Sequence, residues 1–329
     1  MNLAALATID NHADYALLAL TIAVTLPAAA ILVRAYWHVR ETTLVIPWAW
    51  TFGCFALVTA TSCYAGLVPA EERVSSFLAI QFAAASGTLC PIVALVGAKR
   101  PQHTAWSFVV VSLWLVLALP AAEVICLHPG QELEINSIRG WFLWVLIAVE
   151  VSCFTITKYC FAIWWLAVAQ VLWLFDWLPL LPESTWLTGV RELFGLWMMS
   201  YAIVMAWLMM AITANRQRFA YDRLWLDFRD SFGLFWALKL AERVNDAGQQ
   251  AGWDFDLGWT GFRTKSSFAP LEKLPPEEAT ALRNSLQGLL RRFVSAEWIS
   301  ERLDSAVDLA ATEAPARQEP RPPSVESKR

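Results

Sequence analysis

The chain has 329 residues, of which 57% are hydrophobic and only 16% charged, and its mean hydropathy is +0.44. Soluble domains carry roughly a quarter of their residues as charges, so this composition excludes a purely soluble protein. The formal net charge of −4 balances 25 basic against 29 acidic side chains and gives no footing for a nucleic-acid partner.

The opening stretch, MNLAALATIDNHADYALLAL, contains acids and no basic run. It does not read as a cleavable signal peptide, so the first apolar segment is expected to stay in the mature protein. A membrane helix needs about 20 mostly apolar residues. Behind a short extracytoplasmic segment, 1–13, seven stretches qualify: 14–37, 44–68, 76–98, 105–127, 141–157, 159–181 and 193–213. Only TITKY, residues 155–159, divides the fifth from the sixth. One helix through both would be too long for a single crossing, so a tight hairpin is expected there.

Loop charges set the orientation, because cytosolic loops collect Lys and Arg. With the C-terminus in the cytosol, the inner edges carry Arg34, Arg40, Lys99, Arg100, Lys158, Arg216 and Arg218. The outer edges carry only Arg73, Arg139 and Arg191, mixed with acids. The expected fold is an all-α polytopic membrane protein with about seven helices, in the cell membrane, N-terminus outside and C-terminus cytosolic. Trp37, Trp48, Trp106, Trp141, Trp177 and Trp186 fall at span ends, where an aromatic belt would put them.

An ionisable group at a helix centre in the bilayer costs about 2.5–3.5 kcal/mol on insertion scales, so such residues are the first candidates for function. Glu150 stands near the middle of span five; Glu123 and Asp176 lie toward the outer ends of spans four and six. The functional reading is a protonatable or cation-coordinating path with Glu150 at its core, facing a polar cavity near Gln81, Gln170 or another carboxylate. The structural reading ties Glu150 to a neighbouring helix and lets Glu123 and Asp176 reach the outer headgroups. Pro27, Pro91 and Pro120 interrupt spans one, three and four, and each frees a carbonyl that a neighbour or water must satisfy.

The six cysteines have no metal-ligand spacing and read as small apolar fillers, with Cys63 and Cys126 near one face and open to a disulfide. His12 and His38 flank span one and His103 and His128 flank span four; haem ligation is weighed against interfacial histidine, which is favoured because the residues lie outside the spans. An inverted three-plus-three repeat finds no residue-level match beyond spans one and four. Span seven has no lysine for a retinal Schiff base. No hydrolase, phosphate-loop or dinucleotide-binding motif occurs, so no cofactor, metal or catalytic residue is expected.

Beyond residue 214 charges arrive every three or four residues, and 214–310 is expected to form a small, mainly helical cytosolic module. Tyr221, Trp225, Phe228, Phe232 and Phe235 recur at helical spacing and are expected to bury together in its core; Gly233 alone does not force a break. Asp227 and Asp230 are expected on the opposite, solvated face. Residues 253–259 alternate Trp253, Phe255, Leu257 and Trp259 with Asp254, Asp256 and Gly258, as a strand does. The pair Asp254 and Asp256 reads as solvent-facing rather than metal-binding. A helix opened by proline and acids follows, with Leu282, Leu286, Leu289 and Phe293 on one face, then a shorter one carrying Trp298, Ile299 and Leu303. Residues 311–329 lack apolar periodicity and are expected to be disordered.

Two functions follow from these features. One is a non-enzymatic anchor, sensor or scaffold in the lipid bilayer whose module, 215–310, binds a cytosolic protein. The other is a proton- or cation-linked small-solute transporter that uses Glu150.

Overall fold

The computed structural model describes residues 3–68, 76–100, 102–128, 131, 133–181, 191–213, 219–266, 269–271 and 274–303, without the side chains of 3–15, 66, 67 and 103. The chain divides into two compact units, Met1–Arg216 with Phe228–Glu242, and Gln217–Asp227 with Arg243–Arg329.

The first unit is a helical bundle: α1 (Leu3–Val39), α2 (Val45–Leu67), α3 (Phe77–Gly87), α4 (Cys90–Val96), α5 (His103–Cys126), α6 (Ser137–Phe154), α7 (Cys160–Leu174) and α8 (Arg191–Thr213). Seven spans are long and apolar enough to cross a membrane, α3 and α4 together making the third, and the protein is an integral membrane protein. The third span is the central one. Its apolar stretch is 72% buried, against 22–39% in the other six. Its neighbours α2, α5 and α7 pack around α3, while α8 packs on α1 and α7. Small residues allow the close approach: Ala79, Ala84 and Ala85 are buried on α3, and the place a Cβ on Gly87 would take is lined by Cys54 Sγ and Trp114.

Tryptophans hold the helices across their grooves. The indole N–H of Trp48 donates to Leu32 O at 2.8 Å, that of Trp106 to Val93 O at 2.8 Å, that of Trp114 to Ala83 O at 3.0 Å and that of Trp173 to Glu192 O at 3.1 Å. In hydrocarbon no water competes for these carbonyls, so each indole contributes both ring packing and a directed bond. Trp48 and Trp106, expected in an interfacial belt, thus also bridge helices.

Several boundaries differ from expectation. Backbone helix begins at Leu3 rather than near residue 14, and α6 begins at Ser137 rather than 141 because the Asn136 side chain accepts the N–H of Ile138 as an N-cap. Of the three prolines, Pro27 and Pro120 stay inside continuous helices, while the third span breaks upstream of Pro91, at Thr88 and Leu89. Pro91 then occupies the first turn of α4, the helical position that tolerates a missing N–H. All six cysteines are free, Cys63 and Cys126 included.

The middle of helix α9 (Ala220–Ala251), residues 228–242, belongs to this first unit. Gly233 kinks it, with φ 70° and ψ −178°, a conformation nearly reserved for glycine. The expectation of an unbroken helix is corrected here.

The second unit takes both ends of α9, the strands β1 (Phe255–Gly258) and β2 (Gly261–Thr264), α10 (Pro276–Leu290) and a helical stretch over 296–303. Gly252, left-handed at φ 71°, ends α9. The strand read from 253–259 is half of an antiparallel hairpin in which Phe255 faces Thr264 and Leu257 faces Phe262. Trp225, Trp253, Phe255, Leu257, Phe262, Leu282, Leu286, Leu290, Phe293, Trp298 and Leu303 are buried. On α10 the buried row takes Leu290, where Leu289 was expected. Residues 304–329, including the expected disordered tail, lie outside the described residues.

Candidate functional site

Glu150 points into the bundle. It sits on the buried face of α6 with Leu143, Leu146 and Ile147, at 5% exposure, so its carboxylate is withdrawn from lipid. From α7, Gln170 Nε2 donates to Glu150 Oε2 at 2.7 Å and also reaches Thr88 O at 3.3 Å. Thr88 lies in the break of the third span, where the α3 ladder has ended and α4 has not begun. Three elements therefore converge on one polar nucleus. Gln170 is fully buried, and its Oε1 meets no donor among the described residues.

The other two candidate carboxylates are elsewhere in character. Asp176, in the short 3-10 turn Phe175–Trp177 after α7, accepts two bonds from Arg191, Nη1 to Oδ1 and Nη2 to Oδ2, each 2.7 Å. Arg191 is buried and stacks over Phe175. Asp176, expected on an ion path or at the headgroups, is about half exposed and pairs with a buried cation, whose guanidinium fork matches a carboxylate. Glu123 is exposed on α5. Among the described residues no three of His, Cys, Asp and Glu gather as a metal site requires. His38 and His128 are exposed, and the side chains of His12 and His103 lie outside the described residues. A cavity of about 380 Å³ between α2, α3 and α5, walled by Trp50, Cys54, Leu57, Ala83 and Trp114, is apolar and does not include Glu150.

The middle of α9 makes a second cluster, at the ends of α4 and α6. Trp236 donates its indole N–H to Leu95 O at 2.9 Å. At Gly233 a Cβ would sit 3.2 Å from Cys153 O, so glycine is needed for space as well as for its backbone angles. Asp230, expected in solvent, is 4% exposed, lies 3.9 Å from Lys158 of the α6–α7 turn, and accepts from Arg229 at 2.6 Å. Thr43 Oγ1 donates to Ala98 O at 2.7 Å, which joins the α1–α2 and α4–α5 connections at the same end of the bundle.

The five aromatic residues of the stripe are therefore divided. Tyr221 and Trp225 belong to the second unit, where Tyr221 Oη donates to Ala279 O at 3.0 Å and Trp225 to Trp259 O at 3.3 Å. Burial pushes the Tyr221 phenol up, with Arg283 opposing. Phe228 and Phe232 stack at 4.6 Å in the first unit, and Phe235 is exposed. A single shared core for all five does not occur. In the second unit Asp222 accepts the N–H of Phe262 at 2.6 Å, Arg302 Nε donates to Asp227 at 3.1 Å, and Asp256 pairs with Lys265 at 3.7 Å. Sequence reasoning found Glu150 and named Gln170, with Gln81 or another carboxylate, as its candidate polar neighbour; it did not find Thr88, and it counted Arg191 only as a loop charge.

Comparison with protein-family models, with curated proteins and with solved structures finds no match to this chain.

Proposed function

We propose that the chain is a non-enzymatic multi-pass protein of the cell membrane, N-terminus outside and C-terminus in the cytosol, that anchors and senses through its bundle and binds a cytosolic protein through residues 215–310. The observation that carries this reading is the double membership of α9. Its middle is fixed to the bundle by Trp236 and Asp230, and its two ends enter a unit with a separate core of aromatic and leucine side chains. A simple tether needs neither feature. The orientation rests on the excess of Lys and Arg at the edges assigned to the cytosol. The test is affinity capture with the full-length chain in its native membrane, against a chain whose second unit is unfolded by Leu282→Asp. The reading expects a cytosolic protein retained by the first and lost by the second; capture that ignores the substitution sinks it.

A second reading, a proton- or cation-linked transporter of small solutes, is favoured by the carboxylate of Glu150 beside the broken central span. Proteoliposomes test it: ion-driven solute uptake that disappears in Glu150→Gln supports it, and absence of any ion-coupled flux sinks it.

A further inference from the structure

We infer that Glu150, Gln170 and Thr88 form a binding site for one monovalent alkali cation, Na⁺ being the probe, and that the Gln170 amide acts as its stand-in when the site is empty. The chemistry starts from a surplus of acceptors. The carboxylate of Glu150, the carbonyl of Thr88 and Oε1 of Gln170 are all oxygen acceptors, and the only donor seen among them is Gln170 Nε2. That nitrogen faces both Glu150 Oε2 and Thr88 O, which fixes which way the amide points. Oε1 is then left buried without a donor among the described residues, an arrangement that costs about 1–3 kcal/mol in a protein interior.

A half-turn about the last torsion of Gln170 brings Oε1 to the side of Glu150 and Thr88 and carries Nε2 to the place Oε1 held. That torsion is broad and roughly two-fold, so the turn carries little intrinsic strain. It exchanges Nε2 for Oε1 and aims three oxygens at one point. A donor is then missing there, and a cation fills the role. Hard monovalent cations take oxygen ligands of this kind, and broken membrane helices supply them through unwound carbonyls and helix C-termini. Thr88 directly follows α3, whose C-terminal end carries the negative end of the helix dipole.

Charge decides the valence. No Lys, Arg or His stands on α3, α4 or α7, and Arg139, the one basic residue of α6, is about 16 Å from Glu150 along the helix axis. One positive charge balances the single carboxylate. A divalent ion would leave a net charge in the bilayer, and it ordinarily draws on more carboxylates than this site offers.

The inference concerns equilibrium binding. It deepens the transport reading by naming an ion, yet binding and flux fail separately: flux can be absent while the site is filled. The experiment uses the full chain in nanodiscs, with radioactive Na⁺ titrated against N-methyl-D-glucamine at constant ionic strength. The expected result is saturable binding at one site per chain. It weakens at least about tenfold in Glu150→Gln and Gln170→Leu and survives in Glu150→Asp. In Glu150→Gln, which keeps the shape of the side chain, the upward shift of the melting curve that Na⁺ gives the unmodified protein should disappear. If that variant does not fold, Gln170→Leu decides. No saturable binding in the unmodified chain, or unchanged binding in a folded variant of Glu150 or Gln170, overturns the proposal.

Discussion

Three carboxylates near the membrane take three different roles according to what stands beside them. Asp176 neutralises Arg191, whose guanidinium is buried while the aspartate is about half exposed. Asp176→Asn leaves that cation without its charge partner and is expected to cost about 1.5–3 kcal/mol, read from unfolding of the purified full-length protein. Glu123→Gln changes an exposed residue and is expected to stay within about 0.5 kcal/mol. Equal losses from the two would contradict the pairing. Glu150 was legible in sequence because an acid inside LIAVEVSCF has no local excuse. Its partner was legible only as one of several, Gln81, Gln170 or another carboxylate, because spacing along one helix says nothing about which helix lies opposite. The role of Asp176 was hidden for the same reason: its cation comes from the next span, across residues that read only as a loop.

Along α9, periodicity gave the helix and its apolar stripe but not what covers each part. A 3.6-residue repeat tells which side chains share a face; it does not say that Trp225 and Phe232 go to different cores. Nor did the pattern disclose the kink, since Gly233 is tolerated in many straight helices. The division is testable. Trp225→Asp should unfold the second unit at a cost above about 4 kcal/mol and leave 228–242 protected from hydrogen exchange. Phe232→Asp should do the reverse, exposing 228–242 while α10 stays protected. A common response to both would restore a single core. Gly233→Ala meets both an unfavourable backbone angle and the Cys153 carbonyl, and is expected to cost about 1–3 kcal/mol and to speed exchange in the same stretch. Trp236→Phe keeps the ring but drops one bond, about 1 kcal/mol.

At the scale of the molecule, seven spans, their approximate order and the hairpin position were readable because hydrocarbon imposes length and apolarity on each crossing. The centrality of span three was not readable: its hydropathy of 1.8 lies within the range of the others, 1.3–2.5, and only packing separates it. Burying the broken span in the middle places Thr88 beside Glu150 and Gln170, while the middle of α9 is held where α4 and α6 end. A bundle built this way has an interior polar group and shares the residues of α9 with a separate unit. The most direct test of that account is photo-crosslinking from the exposed Asn284 of α10 in the full-length chain, in intact membranes, with and without Trp225→Asp. The account predicts a saturating adduct with one cytosolic protein that vanishes in the variant while the chain remains membrane-embedded. An adduct that persists when the second unit is unfolded, or no adduct from Asn284 and other exposed positions of that unit, would contradict it.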